Sequence, residues 1–138
     1  EPEALAALEL AASLNPKHEP TRLELATIAE KRGACYEAES WLEPLLQRPS
    51  SPAQGARAEA LVGHCLLTAG RAEAAVAHLE RAAAADPTSV SHRLLLAQAY
   101  RAAGRIEAAV DAYEQVLVLS PDNTAATKAL AELQEPTP

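Results

Sequence analysis

The stretch VSHRLLLAQAYRAAGRIEAAVDAYEQVLVLSP, Val90–Pro121, decides the fold. Apolar and small side chains recur at three- and four-residue spacing on both sides of Gly104. That pattern reads as two amphipathic helices joined by a glycine turn, with Pro121 closing the second. Displaced by 34 places, the chain lies over itself: Leu96 falls on Val62, Ala97 on Gly63, Gly104 on Gly70, Ala109 on Ala75, Tyr113 on Leu79 and Pro121 on Pro87. A fixed period of this size signals a repeat array.

Working outward, the chain divides into 1–18, 19–55, 56–89, 90–123 and 124–138. Segment 1–18 matches only a second helix, Glu3–Leu14, ended by Asn15-Pro16. Its first helix belongs upstream, so the chain reads as cut from a longer protein inside a repeat. Segments 19–55, 56–89 and 90–123 are full repeats. The first is irregular: Pro44 lies inside its second helix, where it has no N–H for the Ser40 carbonyl, and a kink is expected. The step from Glu19 to Ala56 is 37 places, three more than the period. Ser51 as N-cap, Pro52 in the first turn and Gln54 three residues after the cap turn those extra residues into helix, running from Pro52 to Ala69. Segment 124–138 holds one helix, Thr124–Gln134, in which Leu130 and Ala131 occupy the places of Leu96 and Ala97; it either caps the array or begins another repeat, and a frayed Pro136-Thr137-Pro138 end follows. The expectation is eight helices and no strands.

Composition agrees with many thin layers rather than one thick core. Hydrophobic residues make up 49% of the chain, yet aromatics are 3% and Phe and Met are absent. Small side chains let helices pack closely. The net charge of -7 is spread along the chain, which disfavours non-specific nucleic-acid binding. No apolar run reaches the ~20 residues of a membrane span. The chain opens on Glu1 rather than Met with no visible signal peptide, which reads as a boundary where a targeting segment could have been cut away; the compartment is left open, a soluble cytoplasmic protein being slightly favoured over a periplasmic one whose signal was removed.

Catalytic signatures are missing. His18, His64, His78 and His92 are scattered, and no HExxH, GxSxG or phosphate-cradling glycine loop is present. No catalytic residue, cofactor or metal site is expected. Cys35 and Cys65 form no CxxC and join no Cys/His cluster. Their repeat-equivalent sites, Ala72 and Ile106 for one and Ile28 and Ala99 for the other, make both read as ordinary core thiols.

These spaced residues resemble the tetratricopeptide repeat, whose signature runs W-x2-L-G-x2-Y, A-x3-F, P. The third repeat offers Arg93, Leu96, Ala97, Tyr100, Ala109, Tyr113 and Pro121; the second Glu59, Val62, Gly63, Leu66, Ala75, Leu79 and Pro87; the first Arg22, Leu25, Ala26, Ala29, Ala38 and Leu42. No repeat has Trp at the leading place. The resemblance implies an all-α, right-handed superhelical solenoid of antiparallel helix pairs. First helices would line a concave groove that holds a peptide or protein segment.

On that reading the inward positions are Thr27, Glu30 and Lys31, then Arg57, Ala60, His64, Leu67 and Thr68, then Ser91, Leu94, Gln98 and Arg101, with Ala125, Lys128 and Glu132 joining from the last helix. Thr27, His64 and Gln98 occupy one level of the groove. Polar donors among shallow apolar contacts suit an extended peptide. The four cations outnumber Glu30 and Glu132, so an acidic or carboxylate-bearing partner is favoured; an ordinary solvated helix face would show the same mixture. Chaperone-tail-binding members of the family use a Lys, Asn, Asn, Lys, Arg clamp. Its places here hold Leu23, Thr27, Leu61, Ser91 and Leu95, so that device is not expected. Trp41 either covers the irregular first repeat or anchors a partner. Leu5 and Leu8, left without a first helix, offer a patch for self-association. The alternative to a scaffold is a regulatory or substrate-presenting module of a larger enzyme.

Overall fold

The computed structural model describes residues 2–134; the Pro136–Pro138 end lies outside them. Among the described residues there are eight helices and no strands. They are α1 (Pro2–Leu14), α2 (Glu19–Lys31), α3 (Cys35–Gln47), α4 (Pro52–Thr68), α5 (Ala72–Ala85), α6 (Val90–Ala102), α7 (Ile106–Leu119) and α8 (Thr124–Gln134). Each helix packs on the next, and α4 also touches α2 and α6. The result is a solenoid of antiparallel helix pairs. The even-numbered helices form one layer, and α3, α5 and α7 back them.

The turn within each pair is set by glycine. Gly70 has φ 81°, a left-handed conformation that costs glycine nothing. Arg71 N–H then reaches back to the Leu66 carbonyl at 2.8 Å, the bond that closes a helix C-terminus in the Schellman manner. Gly33 and Gly104 repeat the device with Ala34 to Ala29 and Arg105 to Tyr100. The extra residues of the insertion are helical as expected: α4 has 17 residues against 13 in α2 and α6. Ser51 Oγ caps it by accepting from Gln54 N–H. The α3 helix continues through the exposed Pro44 to Gln47.

The pairs approach each other over small residues. A Cβ added to Gly63 would lie 2.5 Å from Leu79 Cγ, inside contact distance, so α4 and α5 cross where only glycine fits. Ala26 with Leu42, and Ala97 with Tyr113, hold the equivalent places in the other repeats and are likewise buried. The core is continuous from α2 to α6 and passes to a second cluster of α6, α7 and α8. Half-buried Tyr100 packs against both.

The leading place of the repeat, where the family carries Trp, holds a polar bridge instead. Arg22 donates to the Trp41 carbonyl at 3.0 Å and stacks over its ring at 5.8 Å. Glu59 accepts from His78 at 2.8 Å and from Arg81 at 3.1 Å. Arg93 donates to Gln115 and to the Pro87 carbonyl. In each case a first helix is tied to its own second helix, 19 or 22 residues on. Burial alone would raise the Glu59 carboxyl, but the hydrogen bonds and charges of His78 and Arg81 outweigh it and hold it below the usual carboxylate range.

Four expectations are corrected. Cys35 and Cys65 are not free thiols: they form a disulfide, with Cα atoms 5.6 Å apart. The first turn of α3 meets the middle of α4, so residues 30 apart in sequence become neighbours. Ala60 faces the core and not the groove. Leu5 and Leu8 are half-buried, whereas Leu10 and Leu14 are the exposed leucines of α1. Ala131, matched to buried Ala97, is exposed, because no second helix follows α8 among the described residues to cover it.

Three outcomes follow from this packing. Gly63→Ala should lower stability in urea by about 1–2 kcal/mol, because overpacking against the fully buried Leu79 exceeds the ~1 kcal/mol gain in helix propensity; a more stable variant would refute the close crossing. Reducing the disulfide, or replacing both cysteines by alanine, should cost about 2–4 kcal/mol by releasing a closed loop of this length. Because the Glu59 carboxyl is depressed in the folded state, its contribution is complete above about pH 4.3 and is lost as the pH falls through the folded value. Acid titration of stability should therefore flatten in Glu59→Gln.

Candidate binding groove

The even-numbered helices present their outer faces along one side of the array, and two of its steps are bridged. Glu30 of α2 pairs with His64 of α4. Arg101 of α6 pairs with Glu132 of α8 at 3.1 Å. The sites are equivalent: the twelfth residue of one repeat meets the ninth of the next. The middle step has Leu67 and Gln98 there, which form no such bridge.

The expected site residues therefore separate into three groups. His64 and Arg101 are engaged in inter-repeat pairs, and the hydroxyls of Thr27 and Thr68 donate to the Leu23 and Cys65 carbonyls of their own helices, at 2.8 and 3.0 Å. Leu67 and Leu94 are half-buried and pack against the core, forming walls. Lys31, Arg57, Ser91, Gln98 and Lys128 are exposed. Lys31, Arg57 and Lys128 form no ion pair among the described residues.

Two hollows mark the ends of this face. One, of about 470 Å³, lies between α2 and the start of α4 and brings Thr27, Lys31 and Arg57 together. It also contains Glu24, Ile28 and Gln54, which the sequence reading left out; Glu24 offsets part of the positive charge. The other, of about 580 Å³, lies between α6 and α8 and joins Gln98, Arg101, Lys128 and Glu132 over Tyr113. Burial pushes the Tyr113 phenol up, with Glu132 adding to the rise and Arg101 opposing it. Ser91, Leu67 and Leu94 line neither hollow. No group of three or more His, Cys, Asp or Glu side chains among the described residues is arranged to hold a metal ion. None of the described helices is long and apolar enough to cross a membrane.

Residues 66–133 match the sequence profile described as Tetratricopeptide repeat. That part of the chain belongs to the tetratricopeptide repeat family. The likeness in structure extends further than the profile. MamA from Desulfovibrio magneticus RS-1 superposes with TM-score 0.82 at 22% identity, over 95% of this chain and 72% of that one. The second tetratricopeptide domain of human RPAP3, solved with the HSP70 peptide SGPTIEEVD, gives 0.74 at 18%, over 83% and 93%. The first such domain of Spaghetti (RPAP3), bound to the HSP90 peptide SRMEEVD, gives 0.71 at 21%, over 83% and 91%. No curated protein matches the chain at a significant level. At these identities the neighbours establish the fold. Among the clamp places, Leu23 is buried, and Leu61 and Leu95 are half-buried against the core.

The Arg101–Glu132 pair is half-exposed, so breaking it should cost less than about 1 kcal/mol of global stability. Its effect should be local: Arg101→Ala is expected to speed amide hydrogen exchange in α8 while α4 and α5 keep their protection. Unchanged exchange in α8 would show that apolar packing alone holds it.

Proposed function

We propose that this chain is a non-catalytic protein-interaction module that holds an extended acidic or carboxylate-bearing segment of a partner protein along the face formed by α2, α4, α6 and α8. The observation that carries this reading is the set of unpaired cations. In a protein of net charge -7, Lys31, Arg57 and Lys128 stand exposed on one face with no ion-pair partner among the described residues, at the rims of two hollows. The acidic EEVD peptides held by related repeats support the same ligand chemistry. The residues doing the holding differ, because Leu23, Leu61 and Leu95 have no polar group to offer a carboxylate.

The paired residues have a different part in this reading. Glu30–His64 and Arg101–Glu132 set the spacing of adjacent first helices and so the shape of the groove. The Cys35–Cys65 disulfide supports an oxidising compartment such as the periplasm, over the cytoplasmic default, because such bonds persist where thiols are not kept reduced. Protein alkylated as isolated, without reductant, should take up no label at either cysteine; full labelling would reverse the assignment.

The binding reading is checked by titrating the chain with a Glu-rich peptide bearing a free C-terminal carboxylate. Lys31→Ala, Arg57→Ala and Lys128→Ala should each weaken binding about 3–10-fold and reduce its salt dependence. A triple variant that binds as tightly as the parent would overturn the proposal.

A further inference from the structure

Another hollow lies on the opposite side, along the outer face of α3. It encloses about 680 Å³, with Tyr36, Trp41 and Pro44 supplying apolar surface and Glu37, Ser40 and Glu43 polar groups. A second hollow of about 430 Å³ adjoins it, sharing Tyr36 and adding Glu39. The other repeats differ here. Where the first has Trp41 and Pro44, the second has His78 and Arg81, which are drawn onto Glu59, and the third has Ala112 and Gln115. Where the first has Tyr36, the others have Glu73 and Glu107.

The side chains that remain available all favour a cation. Tyr36 is 89% exposed, whereas Tyr100 donates to Glu80 and Tyr113 is buried. Arg22 is occupied: its guanidinium lies over Trp41 and donates to the Trp41 and Pro16 carbonyls. Glu37, Glu39 and Glu43 are exposed and form no ion pair among the described residues; Glu43 accepts only from Gln47, at 3.2 Å. Open aromatic surface beside unpaired carboxylates attracts Lys and Arg, by cation–π contact and by charge.

We propose that the outer face of α3 is a second docking surface, which takes a basic, Lys- or Arg-bearing segment of a partner protein. Tyr36 receives a cationic side chain on its ring, and Glu37 and Glu43 hold its charge. The two faces of the array then differ in sign: the groove takes acidic segments and the back of the first repeat takes basic ones. One partner could bind without displacing the other.

Trp41 is the single tryptophan of the chain, so its fluorescence reports on this hollow directly. The intact chain is titrated with a nine-residue peptide of alternating Arg and Gly, and with its Glu-Gly counterpart. The basic peptide should change Trp41 emission saturably. Its Kd should rise about tenfold in Tyr36→Ala and in the double variant Glu37→Gln/Glu43→Gln, and stay unchanged in Arg57→Ala and Lys128→Ala. Three results would overturn the proposal: no saturable change, binding that survives both α3 variants, or an equal response to the Glu-Gly peptide. Because the groove variants act on the other face, loss of the acidic-peptide site leaves this test intact.

Discussion

Helix pairs in this chain can form only where a small residue of the first helix meets a large one of the second. Ala26 with Leu42, Gly63 with Leu79 and Ala97 with Tyr113 occupy that crossing in successive repeats. At Gly63 there is no room for a methyl group. Helices that approach this closely bury alanine as readily as leucine, which is why a chain without Phe or Met still has a continuous core. The same closeness keeps each layer thin. A helix is covered by its partner and its neighbours, and its remaining face is left to solvent. The outer faces of α2, α4, α6 and α8 are therefore left open because the crossing uses the others.

Variation between repeats is placed around that constraint. The leading place of each repeat ties first helix to second by a different chemistry: Arg22 over Trp41, Glu59 with His78 and Arg81, Arg93 with Gln115. The steps between repeats vary in the same way. Glu30–His64 has its carboxylate on the earlier repeat and Arg101–Glu132 on the later one, and Leu67 and Gln98 have no charged side chain. The proposed binding uses what these ties leave over. Lys31, Arg57 and Lys128 on one face, and Tyr36, Glu37 and Glu43 on the other, are among the groups that form no such tie among the described residues.

The sequence was most informative where the repeat forces the same residue type each time. The turn glycines, the Ser51 cap and the extra turn of α4 could all be read from it, since each depends on near neighbours along the chain. Contacts between repeats were harder to read. Cys35 and Cys65 each matched unremarkable equivalents, and only the seventeenth place of one repeat set against the tenth of the next shows that they meet. The same comparison would have found the Glu30–His64 and Arg101–Glu132 pairs, which engage two residues otherwise counted as free to bind. Ala131 misled for a related reason: its equivalence to Ala97 assumed a second helix to cover it. The hollow along α3 depends on Trp41 and Pro44 replacing bridging side chains, a departure from the repeat that periodicity does not register.

Amide chemical-shift mapping of the chain with a Glu-rich peptide bears most directly on where binding occurs. The largest shifts should fall on α2, α4, α6 and α8 around Lys31, Arg57 and Lys128, and should fade as salt rises. Shifts centred on α3, α5 and α7, or none at saturating peptide, would contradict a function carried by the even-numbered helices.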